Sequence, residues 1–178
     1  MQKLTLVAIL AIGLAMASCN KPKEVRNDLG EQNKAVVDKF IQALITGDLK
    51  TVDNVLADDF KAYGASRSDS SAKTQYLEIW KHNWDSVFST MKYNRHIALT
   101  ESIKDGPVMG DWVLEWGDVS TTYKNGRLPV TFKFHAVYRV KDGKVNLASS
   151  FYNVADIMAQ QGFKFVSPED QKKEKPGK

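Results

Sequence analysis

Three histidines, His82, His96 and His135, are the residues of this 178-residue chain best suited to move protons near neutral pH. His135, in the run from Val130 to Val140, is the best candidate acid or base if its side chain points inward. His82 and His96 are weaker candidates, His82 lying beside Trp80 in a helical pattern. No Cys, Asp or Glu around the three has metal-ligand spacing, so no metal and no cofactor is expected. Tyr63, Asp118, Tyr152 and Asn153 are candidate polar tips for a small-molecule pocket, and Trp84 and Trp112 candidate walls. Plainer roles compete: Asp118 as an exposed strand residue, Tyr63 as packing at a strand end.

Elements must bring these residues together, and the hydrophobic period changes once along the chain. Val36, Val37, Phe40, Ile41, Leu44 and Ile45 recur at three- and four-residue steps, and Gly47 follows where a helix ends at positive φ. Asp48 caps a shorter helix with Leu49, Val52, Val55 and Leu56 on its apolar side. A third helix is expected from Ser70 or Ser71, carrying Tyr76, Leu77, Trp80, Trp84, Val87, Phe88 and Met91.

Beyond Met91 the runs Lys92 to Glu101, Val108 to Tyr123, Pro129 to Val140 and Lys144 to Asn153 read as strands. Asn125-Gly126 and Asp142-Gly143 are hairpin dipeptides, since both residues of the favoured two-residue turn need positive φ. Helices first and a meander afterwards give an α+β fold, with N-terminal helices packed on a curved antiparallel sheet. Trp112, Leu114 and Trp116 share one strand face and read as core, while small Ala148, Ser149 and Ser150 leave space in the last strand.

Strand parity decides what His135 does. Val130, Phe132, Phe134, Ala136, Tyr138 and Val140 form one face and His135 belongs to the other, so a regular strand puts it outside. A β-bulge would reverse the parity and turn it inward. Both orientations are open from sequence.

The N-terminus is an address. Lys3 precedes a stretch from Leu4 to Ala17 that is apolar apart from Thr5 and Gly13, and this is shorter than the roughly 20 residues of a membrane span. Leu14-Ala15-Met16-Ala17-Ser18-Cys19 resembles the lipobox of bacterial lipoproteins, which implies that the thiol of Cys19, the only cysteine, is lipidated. Residues 1–18 are then a lipoprotein signal peptide, 19–31 a flexible tether, 32–166 one domain and 167–178 a charged tail. The resemblance places the protein at the bacterial cell envelope, membrane-anchored, with its domain outside the cytoplasm. A formal charge of +4 with both signs interspersed excludes the clustered basic face that a nucleic-acid partner requires.

Two stretches carry a family likeness. Asn33 to Asp59, with Phe40-Ile41, Gly47-Asp48 and Leu56-Ala57-Asp58-Asp59-Phe60, resembles the opening of the nuclear-transport-factor-2-like superfamily. Phe134 to Val145, then Phe151-Tyr152-Asn153 and Met158-Ala159-Gln160-Gln161-Gly162, is similar to SnoaL-like polyketide cyclases. The resemblance implies a cone: a bent sheet wrapped on a long helix around a pocket open at one end, with the outer sheet face available for a homodimer. In the similar ketosteroid isomerases the oxyanion tyrosine and the general base fall at Phe40 and Gly64 of this chain, and neither moves a proton. The third polar position falls at His135 or Ala136. SnoaL-like cyclases often have an aspartate where this chain has Asn153. What remains is a pocket for a small apolar or aromatic molecule, a cyclase, isomerase or hydrolase using His135, or a protein-interaction module.

Overall fold

The computed structural model of the protein describes residues 25–167, 169 and 170. The expected leader, Cys19 and residues 171–178 of the tail lie outside them. Helix α1 (Val25–Thr46) buries Val37, Phe40, Ile41 and Leu44, the stripe that the periodicity requires. It begins inside the stretch expected as tether. Gly30 accounts for part of this: a Cβ there would lie 2.7 Å from Thr100 Oγ1, so glycine lets the helix lie close against the sheet.

At the other end Gly47 takes φ +76°, and Asp48 N–H donates to Ala43 O at 2.9 Å, closing α1. Asp48 then caps α2 (Leu49–Val55) by accepting from Thr51 N–H at 3.0 Å. Leu56, expected on the apolar side of that helix, instead opens strand β1 (Leu56–Tyr63). The expected helix start at Ser70-Ser71 is a short strand, β2 (Ser70–Ala72), and α3 runs only over Lys73–His82. A π-helical turn, Asn83–Val87, follows, and Phe88 and Met91 belong to β3 (Phe88–Ile103). Cross-strand pairing wins over helical period there: Thr90 and Thr122 hydroxyls hydrogen-bond at 2.8 Å across β3 and β4.

Strands β4 (Gly110–Tyr123), β5 (Val130–Lys141) and β6 (Lys144–Tyr152) complete one six-stranded sheet in the order β2-β1-β6-β5-β4-β3. It is mixed rather than wholly antiparallel, because β1 runs parallel to β6. Asp142 and Gly143 have φ of 52° and 71°, as a two-residue hairpin turn demands. Asn125-Gly126 does not make such a turn. The strands stop at Tyr123 and resume at Val130, and of the dipeptide only Gly126, at φ 75°, takes positive φ.

Register shifts at Phe88/Thr90, Arg95/Ile97 and Arg139/Val140 bend the sheet around α1. Side chains of α1 and α2 pack there against Leu56, Phe60, Val113, Ala136, Tyr138, Val140 and Val145. A last helix, α4 (Val154–Gln160), crosses the open end of the cone.

On β4 the inner face is Val113, Glu115, Gly117, Val119 and Thr121. Trp112, Leu114 and Trp116, expected in the core, alternate onto the outer face. The reason is parity: aromatic content does not say which face the helices cover, and here the outer rings cover one another instead. Trp116, His135 and Phe151 are register partners on three adjacent strands and stack at 4.5 and 5.9 Å between ring centroids.

Candidate functional site

Between α1, α3, α4 and the concave face of the sheet lies a cavity of about 540 Å³. Its walls are mostly rings. Phe40, Tyr76 and Tyr138 meet deep in it, with centroids 5.8 to 6.3 Å apart, and Trp80, Phe88 and Phe132 continue toward the mouth. Small residues keep the space open: Ala62 on β1 and Ala148, Ser149 and Ser150 on β6 all line it. At the mouth stand the two charged residues of the lining, Asp69 on the β1–β2 loop and Arg127 on the β4–β5 loop.

Helix α4 closes part of the mouth, and Ile157 and Met158 face the cavity from it. Strand β6 ends at Tyr152, opposite Phe134, so Thr131 on β5 has no strand neighbour on that side. The Gln160 carboxamide fills the gap, accepting from Thr131 N–H at 3.0 Å and donating to Thr131 O at 2.9 Å.

Tyr63 and Tyr152 line this cavity, as do Phe40 and Gly64. The other expected pocket residues are elsewhere. His135 is on the outer face, its Nδ1 2.9 Å from Glu115 O, because β5 keeps regular alternation through it and no bulge turns it inward. Asp118 is on the outer face of β4, with Oδ2 3.1 Å from His96 Nε2. Trp112 is also outside, under the Arg139 guanidinium. Trp84 packs on Gly47 and donates from Nε1 to Leu44 O at 2.8 Å, so it caps α1 rather than lining the pocket. Asn153 caps α4 by accepting from Asp156 N–H at 3.1 Å. His82 and His96 do not line the cavity either.

Two carboxyls matter that are not among the residues expected at the site. The first is Asp69. A Cβ built on Gly64 would lie 1.9 Å from Asp69 Oδ2, so the Asp69 carboxylate occupies the space that a side chain at 64 would fill. Its charge also acts on the Tyr152 hydroxyl, whose pKa burial raises. The second is Glu115, fully buried beneath the floor. Arg95 reaches it at 2.5 Å while its other partner, Asp38 of α1, is near the surface. Burial pushes the Glu115 carboxyl above its ordinary range, and the Arg95 charge offsets only part of that.

Tyr93 lies between this ion pair and the cavity. Its ring covers Gly117, where a Cβ would sit 2.6 Å from it. Burial, first, and the Glu115 charge, second, raise the pKa of Tyr93 and of Tyr138. The floor therefore presents phenols that keep their protons over a buried ion pair. A signal for Glu115 existed: it is the charged member of the alternating set Val113, Glu115, Gly117, Val119 and Thr121. For Asp69 none did, since its position depends on the loop's path.

The family model of the SnoaL-like domain matches residues 37–147. No curated protein matches the sequence. Among solved structures, an LEH-like epoxide hydrolase of M. tuberculosis is 21% identical, with 74% of this chain and 90% of that one covered at a TM-score of 0.59. A putative polyketide cyclase from Streptomyces antibioticus is 18% identical, covering 74% and 99% at 0.61. A protein with a ketosteroid isomerase-like fold from Catenulispora acidiphila, in complex with trimethylamine, is 14% identical, covering 72% and 93% at 0.60. At these identities the likeness is one of fold.

Proposed function

The chain belongs to the SnoaL-like domain family, and on that basis we propose that its cone binds a small apolar or aromatic molecule at the bacterial envelope, anchored through lipidated Cys19. The 540 Å³ aromatic cavity carries the reading: its volume and its few convergent polar groups are those of a small-molecule site. A closed, two-ring ligand fits such a space, and Trp80 in the wall reports on it. Naphthalene derivatives titrated into the domain should quench tryptophan fluorescence saturably, and Ala148→Phe, which fills the cavity from β6, should abolish the quenching. Equal quenching in the variant defeats the reading. A Cys19→Ser chain that still fractionates with membranes defeats the anchor.

One observation supports a second reading, chemistry in the same cavity. The similar isomerases place a general base at the position of Gly64, and here the Asp69 carboxylate fills that space from five residues on. It would take a proton from the carbon next to a ligand carbonyl and return it, leaving no net redox change. Deuterium exchange into 2-tetralone in D2O tests this. Asp69→Asn should remove about a hundredfold or more of any catalysed rate, and His135→Ala should leave it unchanged. A third, compatible use is self-association: Ile97, Leu99 and Phe151 are about half exposed on the outer sheet face, beside the Trp116–His135 stack. Sedimentation of wild type against Phe151→Ser decides it, since a homodimer through this face should dissociate in the variant.

A further inference from the structure

Resting on the binding reading, we propose that the ligand carries one carboxylate and enters with its apolar body first, leaving the anion at the mouth beside Arg127. Arg127 is the cation among the residues that line the cavity, where the other charged side chain is Asp69. It does not act alone. Tyr123 and Gln161 line the same cavity, and the charge of Arg127 acts on the Tyr123 hydroxyl. Guanidinium, phenol and carboxamide thus gather on one side of the mouth, a donor set that suits a carboxylate.

The rest of the cavity opposes an anion. Asp69, on the β1–β2 loop, also lines the cavity, and its negative charge acts on Tyr152. At the floor the rings of Phe40, Tyr76 and Tyr138 meet, and the cation beneath them, Arg95, is already paired with Glu115. A carboxylate therefore finds a charge partner among the lining residues at Arg127, and deeper in it would lose its hydration without compensation, so its apolar part alone is compatible with the depth of the cone. The ligand is held in one direction.

The test pairs 2-naphthylacetate with its uncharged methyl ester, measured by calorimetry against wild type, Arg127→Gln and Ala148→Phe. Arg127 is exposed on a loop, so its replacement leaves the fold intact. The acid should bind wild type at least several-fold tighter than the ester. Arg127→Gln should weaken the acid about tenfold and move the ester less than twofold. Ala148→Phe should remove both. Acid and ester of equal affinity, with no effect of Arg127→Gln, overturn the carboxylate inference and leave the pocket intact. An equal loss of both ligands in Arg127→Gln also overturns it, because the loop and not the charge is then responsible. If neither ligand binds wild type, the pocket reading and this inference fall together.

Discussion

Replacing Arg95 by methionine isolates the buried charge under the cavity floor. Glu115 is fully buried, and Arg95 is the cation in contact with it, at 2.5 Å. Two unit charges about 4 Å apart attract by about 4 kcal/mol at an effective dielectric of about 20, and removing one partner of a buried pair costs about 3 to 5 kcal/mol. The other arm of Arg95 differs: the Asp38 side chain is 45% exposed, so Asp38→Asn should cost no more than about 1 kcal/mol.

Urea unfolding at pH 8, where protonating Glu115 gives least relief, should therefore rank Arg95→Met far below Asp38→Asn. In a domain of this size the gap corresponds to roughly 10 °C in Tm. The double replacement Arg95→Met with Glu115→Leu removes both buried charges together and should return to within about 1 kcal/mol of wild type. Equal losses in Arg95→Met and Asp38→Asn, or a double variant weaker than either single one, would refute the burial argument.

Other perturbations follow from the same contacts. Glu115 holds its proton more tightly folded than unfolded, so its contribution to stability is complete below the ordinary carboxylate value of 4.5 and is lost as pH rises through the raised folded pKa. Subtracting the pH-stability curve of Glu115→Gln from that of wild type should leave this falling component, and a flat difference would contradict it. Trp84→Phe keeps a ring over Gly47 but loses the hydrogen bond to Leu44 O, which should cost about 1 kcal/mol in chemical unfolding; no loss would remove Trp84 from its capping role. Gln160→Leu breaks both bonds to Thr131, so amides of α4 should exchange with solvent several-fold faster while those of β4 hold their rate. Uniform protection would show that α4 is held by its apolar contacts instead.

The sequence was most legible where a local rule acts alone. Gly47-Asp48 is one such place, joining a positive-φ helix end to a side-chain cap. Asp142-Gly143 is another, and the stripe from Val37 to Leu44 a third. It was least legible where tertiary contacts choose between equal local options. β1 and β2 exist because partners across the sheet, β6 among them, complete their backbone hydrogen bonds, which no window of residues shows. The two faces of β4 are equally rich in large or β-branched residues, and the helices pack on the face that also holds Glu115. For the candidate site, strand position and family likeness point to Tyr63, Tyr152, Phe40 and Gly64, and all four line the cavity. Asp69 was hidden, because a loop returns its carboxylate to a glycine five residues earlier. His135 drew attention by its chemistry, but chemistry does not set parity.

The most direct test of the binding cone is a titration of a neutral aromatic probe, such as methyl 2-naphthylacetate, followed by amide chemical shifts. Saturable shifts should cluster at Ala62, Val119, Ala148 and Ser149 on the concave face, and at Ile157 and Met158 of α4. Shifts confined to Trp116, His135 and Phe151 on the outer face, or none at saturating probe, would contradict the account.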